Sequence, residues 1–178
     1  ALILAVALPV LIMLMFVFVF GGAIATGVEY VTYVVPGILL LCTGYGAAST
    51  ATSVAADLQL GMVDRLRTLP IRGSAVLTGH VVASLLRNAV STGLVVLVAL
   101  LVGFRPSADA ADWLLAAGVL VLFVTAMSWL SVCFGLLASS AEAASSFSFF
   151  VLFLPYVSSA FVPVDTMPAA LHAFAENQ

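Results

Sequence analysis

Apolar residues run through this chain in long blocks, and polar residues are confined to short breaks between them. A bilayer core of about 30 Å is crossed by about 20 apolar residues in a helix. Five blocks meet or approach that length: Ala1–Phe20, Tyr33–Ala56, His80–Gly103, Trp113–Ala138 and Ser145–Val162. None alternates in and out over about ten residues, as a membrane β-barrel strand would. Lipid obliges each span to satisfy its own backbone. The pattern therefore predicts an all-α integral membrane fold, a polytopic helical bundle with five visible transmembrane helices.

The breaks are short. "GGAIATGVEY" joins the first two spans. "FRPSADAAD" joins the third and fourth, where Asp112 can N-cap the fourth helix. "SSAEAAS" joins the fourth and fifth, and "PVDTMPAALHAFAENQ" follows. The loop from Asp57 to Gly79 is the longest link between spans and breaks the pattern in a different way. It holds Arg65, Arg67 and Arg72, three of the five basic residues in the chain.

Composition supports the lipid reading. The chain of 178 residues is 64% hydrophobic and 7% charged, with mean hydropathy +1.29. Ordinary soluble domains are about 45–50% apolar and about 25% charged. The net charge of −3, without a large basic cluster, argues against nucleic acid. There is no lysine, which excludes a Walker A phosphate loop. Any ATP-driven step must use another chain, and no cofactor or metal is expected on this one. Cys42 and Cys133 sit inside apolar blocks and read as small buried hydrophobes. The length fits one domain, and the apolar run at Ala1 reads as the interior of a longer protein.

Arginines in short loops mark the cytoplasmic side. The Asp57–Gly79 loop therefore faces inside, Ala1 starts inside, and the chain ends outside. Read as a helix, Asp57–Leu69 places Leu58, Met62, Leu66 and Leu69 on one stripe. Asp64 and Arg67 are three apart and can pair. Pro70 stops the helix, Gly73 permits a turn, and Ser74 can cap the third span. Such an amphipathic segment suits either the headgroup layer or a cytoplasmic partner.

The stretch "DLQLGMVDRLRTLPIRGSAVLTGHVVAS" resembles the first cytoplasmic loop of ABC-2 type permeases, in their daunorubicin-resistance and antibiotic-exporter branch. Gly61, Asp64, Arg65, Leu66, Arg67, Pro70, Ser74, Gly79 and His80 carry the likeness. "SSAFVPVDTMPAALHAFAENQ" resembles the family's extracellular segment before its last helix, through Pro163, Met167, Pro168 and Asn177. The likeness spans the whole chain. It implies one transmembrane domain over 1–178 with five of six family helices in view, a coupling loop at 57–79, and an extracellular segment at 163–178. The N-terminal interfacial helix and the sixth span of the family would lie outside this sequence. It further implies that Leu58, Gly61, Met62, Asp64, Arg65, Leu66, Arg67, Leu69 and Pro70 form a coupling helix docked on a separate ATP-binding subunit. That subunit would hold ATP and magnesium, and a second permease copy, identical or not, would complete the transporter in a bacterial plasma membrane. Partner closure would rock the spans and open a path for a drug, antibiotic or lipid.

Arg87 and Asn88 lie about two turns into the third span. An arginine inside lipid costs about 2.5–3.5 kcal/mol, so Arg87 is expected to snorkel to the cytoplasmic surface. The alternative is an inward contact to Glu142 or a neighbouring helix. Glu142 can also cap the fifth helix. His80 reads as a hydrogen-bonded boundary residue, since nothing at metal spacing accompanies it. The small residues of Gly44–Ala56 and Ser139–Ser148 suit close helix packing. Pro9, Pro36 and Pro155 are candidate kinks. Phe147, Phe149, Phe150, Phe153 and Tyr156 read as lipid-facing or packing surface. There is no GxSxG elbow, which opposes a membrane protease and leaves a transport subunit rather than an enzyme. A stand-alone secondary transporter or channel would favour acids inside spans, and all eight acids fall in loops or span ends.

The topology is open to direct test. A cysteine replacing Ser74 should react with impermeant maleimide only from the cytoplasm, and one replacing Asp165 only from outside. Labelling of both from one face contradicts the five-span order.

Overall fold

The computed structural model describes residues 10–20, 30–62, 73–106 and 108–153. Every regular element among them is a helix. Helix α1 covers residues 10–20 and is π-helical over Phe16–Phe20. It is followed by α2 (Tyr30–Gln59), α3 (Gly73–Val102), α4 (Ala110–Leu137) and α5 (Ala141–Phe153). Three of these, α2, α3 and α4, are long and apolar enough to cross a bilayer. The chain is a helical membrane protein.

The helices outrun the apolar blocks that announce them. α3 begins at Gly73, seven residues before His80, because a helix does not stop where the lipid does. Ser74 therefore lies in the first turn rather than at a cap, and its carbonyl accepts the Thr78 hydroxyl at 2.9 Å. α4 is capped by Asp109, not Asp112. The Asp109 carboxylate accepts the N–H groups of Ala111 and Asp112 at 2.8 and 2.9 Å. Asp112 reaches back to the Asp109 N–H at 3.1 Å and completes a capping box. Ser140 takes the cap expected of Glu142 on α5, accepting the Ala143 N–H at 3.0 Å.

Two glycines end helices by adopting the left-handed region. Gly61 has φ +66 just past α2, and Gly103 has φ +115 just past α3. After Gly103, the N–H of Phe104 returns to the Ala99 carbonyl at 2.9 Å and that of Gly103 to Leu100 at 3.3 Å. This is a Schellman turn, and it tucks the Phe104 ring into the outer core beside Ala99.

α2 is the axis of the bundle. Its apolar window is 67% buried, against 22% for α3 and 28% for α4, which turn most of their surface to lipid. The buried residues of α3 run Val81, Ser84, Asn88, Ser91, Val95, alternating three and four apart. α4 repeats the spacing with Val124, Ser128, Ser131 and Gly135, and α5 with Ala144, Ser148 and Val151. These are the seams of near-parallel, left-handed packing. The outer core joins Met13 of α1, Val34, Val35, Ile38 and Leu41 of α2, and Val95 and Ala99 of α3. Nearer the link between α2 and α3, Val54, Val81 and Val132 meet across α2, α3 and α4, and Ala51 and Ala55 meet Ala144 of α5. The first ten residues of α4 stand clear of the bundle, all exposed.

The small-residue stretch of α2 is packing surface, as its composition implies. Gly44, Ala47, Ala48, Ala51 and Ala55 are buried. α2 passes through Pro36, while Pro9, Pro155 and Tyr156 lie outside the described residues. Phe149, Phe150 and Phe153 are exposed, and Phe147 stacks on Phe134 with centroids 4.3 Å apart. Cys42 is buried, but Cys133 is exposed on the lipid face of α4, so the second cysteine is not a core residue.

Gly135 is the tightest contact between α2 and α4. A Cβ there would stand 2.6 Å from the Ala51 carbonyl oxygen and 2.9 Å from Val54 Cβ, and backbone cannot swing aside. Gly118 has nothing within 4 Å of the same position. Gly135→Val should therefore lower stability by about 1–3 kcal/mol, read as a lower thermal midpoint in detergent. Gly118→Val should leave the midpoint unchanged.

Candidate functional site: the loop-flanking helix ends and their polar seam

The ends of α2 and α3 that flank the arginine-bearing loop are joined by polar contacts. His80 Nε2, in the third turn of α3, lies 3.1 Å from Asp57 Oδ2 near the end of α2. Both side chains are partly buried. Two residues further on, Gln59 Nε2 donates to the Ser139 carbonyl in the α4–α5 turn at 3.4 Å. The boundary histidine thus has the hydrogen-bonded role its position implies. No group of three or more His, Cys, Asp or Glu could hold a metal among the described residues.

Past Gln59 the chain does not continue as one helix. Leu60 and Gly61 form a turn, and the positive φ of Gly61 breaks the helical register. The stripe drawn through Leu58, Met62, Leu66 and Leu69 needs an unbroken helix from Asp57, which the turn at Leu60 and Gly61 interrupts. Leu58 belongs to α2 and packs against the Val54, Val81 and Val132 cluster. Met62 lies beyond the turn and is exposed. Asp64, Arg65, Leu66, Arg67, Leu69 and Pro70 lie outside the described residues.

Deeper in the bundle a polar seam links α2, α3 and α4. Asn88 is buried and donates through Nδ2 to the Ser84 carbonyl at 3.0 Å and the Ser84 hydroxyl at 3.4 Å. Ser128 of α4 donates to the same Ser84 hydroxyl at 2.9 Å. On the α2 side, Asn88 Oδ1 occupies the space where a Cβ on Gly46 would project. The Gly46 carbonyl in turn accepts the Ser49 hydroxyl at 2.7 Å. Arg87 Nη1 donates to Ser49 Oγ at 3.4 Å.

Arg87 departs from expectation in two ways. With α3 starting at Gly73, it sits at the middle of that 30-residue helix, not two turns in. At 1.5 Å per residue it lies about 10 Å deeper than His80. Its guanidinium reaches a neighbouring helix at Ser49, so the favoured snorkelling gives way to the inward alternative. Glu142 is not its partner among the described ion pairs. Glu142 is exposed in the first turn of α5, where its own backbone N–H and then the Ser140 hydroxyl hold its carboxyl below the usual range.

Gly46 was expected to pack closely, but Ser84 and Ser128 were not singled out in the sequence, though a signal exists. Ser84, Asn88 and Ser91 are spaced four and three apart in an apolar helix. In lipid such a polar stripe faces inward.

These features define a class: a multi-pass helical membrane protein with polar ties at one end of its bundle. Residues 1–176 match the ABC-2 type transporter family, and the chain belongs to it. It is similar to the daunorubicin resistance ABC transporter permease protein DrrB1 of Streptomyces coeruleorubidus, 34% identical over 173 residues. That alignment covers 96% of this chain and 61% of the relative, so the chain spans under two thirds of its length. No solved structure matches.

The seam yields a double-mutant test. Gly46→Leu must displace Asn88 and should impair packing far more than Leu40→Ala, since Leu40 is 40% exposed. Asn88→Ala should relieve Gly46→Ala, giving a coupling of about 0.5–3 kcal/mol between the two sites. Additive changes in thermal midpoint would contradict the contact.

Proposed function

We propose that this chain is the membrane-spanning permease subunit of an ATP-driven exporter. The observation that carries the reading is the family match over residues 1–176, with the arginine-bearing loop lying between α2 and α3. The relative's name, a daunorubicin resistance permease, supports a hydrophobic or amphipathic substrate such as a drug, antibiotic or lipid. The absence of lysine fits a subunit that leaves nucleotide chemistry to another chain. ATP and magnesium would then sit on a cytoplasmic ATP-binding subunit, with a second permease copy beside this one in a bacterial plasma membrane.

The coupling segment, in this reading, begins after Gly61. Met62, Leu66 and Leu69 offer apolar contacts, and Arg65 and Arg67 meet acidic groups at the rim of the partner's cleft. Leu58 is excluded, since it is committed to the bundle. Among the described residues the acids lie at helix ends or in links, which does not favour an ion-coupled transporter acting alone.

Burying one leucine contributes about 1.5–3 kcal/mol, and about 1.4 kcal/mol is one decade of affinity. Leu66→Asp should therefore weaken co-purification of the ATP-binding subunit with full-length permease at least about tenfold. An acid barely affects orientation, so insertion should be normal. Normal insertion with undiminished partner binding would leave the segment as a lipid-surface helix and remove the docking assignment.

A further inference from the structure

The Asp57–His80 contact closes the base of the loop proposed to dock the partner. Asp57 lies two residues before the end of α2, and His80 seven residues into α3. The two residues bracket every position from Leu58 to Gly79. Both are partly buried at 27% and 18% exposure, which shields the contact from full solvent screening. The adjoining residues do not hold the two helix ends alone. Beside the pair, Val54, Val81 and Val132 meet with Leu58 and Leu77 packed against them, and those contacts are apolar and without direction. The polar pair is directional and fixes register. A second tie, from Gln59 to the Ser139 carbonyl, fastens the same end of α2 to the α4–α5 turn.

We propose that Asp57 and His80 are positioning residues that transmit the partner's movement to the spans. With the pair made, α2 and α3 move together when the loop is displaced, and Gln59 carries the motion to α4 and α5. With the pair broken, the loop still docks but α2 and α3 yield separately. The inference deepens the proposed function and rests on it.

The test uses full-length permease and its ATP-binding subunit in liposomes. Two quantities are measured: partner retained on the permease, and permease-stimulated hydrolysis of magnesium ATP. Wild-type retention and stimulation must be present; their absence overturns the permease reading and the inference with it. Asp57→Asn and His80→Gln should each lower stimulation by about three- to tenfold, the range of one net hydrogen bond, with retention unchanged. Asp57→Glu and His80→Arg keep a carboxylate acceptor and an N–H donor and should restore most of it. The double variant, Asp57→Asn with His80→Gln, should be no worse than either single one, because one contact can be lost only once. Unaffected single variants, multiplying losses in the double variant, or retention falling with stimulation would each overturn the inference while leaving the permease reading intact.

Discussion

Close approach to α2 is the constraint on which the rest of this bundle depends. In lipid there is no hydrophobic drive between helices, so van der Waals packing and interhelical hydrogen bonds must hold them together. Both require backbones to come near. α2 makes that possible with Gly44, Gly46, Ala47, Ala48, Ala51 and Ala55, and its neighbours answer with Gly135 and Ala144. At Gly46 and Gly135 no side chain could be added without moving carboxamide or backbone. The larger apolar residues are directed outward, where Leu86, Leu97, Leu101, Leu122 and Leu137 meet lipid.

The same approach brings polar groups together where they are most costly to leave alone. Hydrogen bonds across membrane helices average about 0.6 kcal/mol and reach about 1.7. The Asn88–Ser84–Ser128 contacts and the Arg87–Ser49 bond are thus modest singly. The two that cross between helices, Ser128 to Ser84 and Arg87 to Ser49, fix the height of one helix against another, while Asn88 to Ser84 lies within α3. Toward the link between α2 and α3 the ties become Asp57–His80 and Gln59–Ser139. A displacement delivered between α2 and α3 therefore meets a directional contact at each level rather than a smooth apolar surface.

Three of the five spans, α2, α3 and α4, were legible in the sequence because hydropathy is a bulk property of about twenty residues. Their ends were not, because a helix continues past the lipid until a cap or a glycine stops it. Asp109 capped α4 in place of Asp112, and Gly73 opened α3 well before His80. The amphipathic stripe from Leu58 to Leu69 failed for a related reason. Spacing alone could not register that Gly61 would turn left-handed and hand Leu58 to the bundle. Arg87 was placed too near the surface because its depth was counted from the apolar block rather than the helix start. Asn88 was noticed, but its partners were not, since Ser84 and Ser128 are polar only against an apolar background. The expected lipid and packing roles of the aromatic residues survive in Phe149, Phe150 and Phe147.

The central claim is that the segment just past Gly61 meets an ATP-binding partner and not the headgroup layer. Met62, exposed immediately beyond that turn, offers the most direct probe. A photo-crosslinking residue at position 62 of full-length permease, activated in membranes that also carry the ATP-binding subunit, distinguishes the two. The account predicts a crosslink to that subunit that weakens when Leu66 is replaced by Asp. Crosslinks confined to lipid, with the subunit present and active, would contradict it.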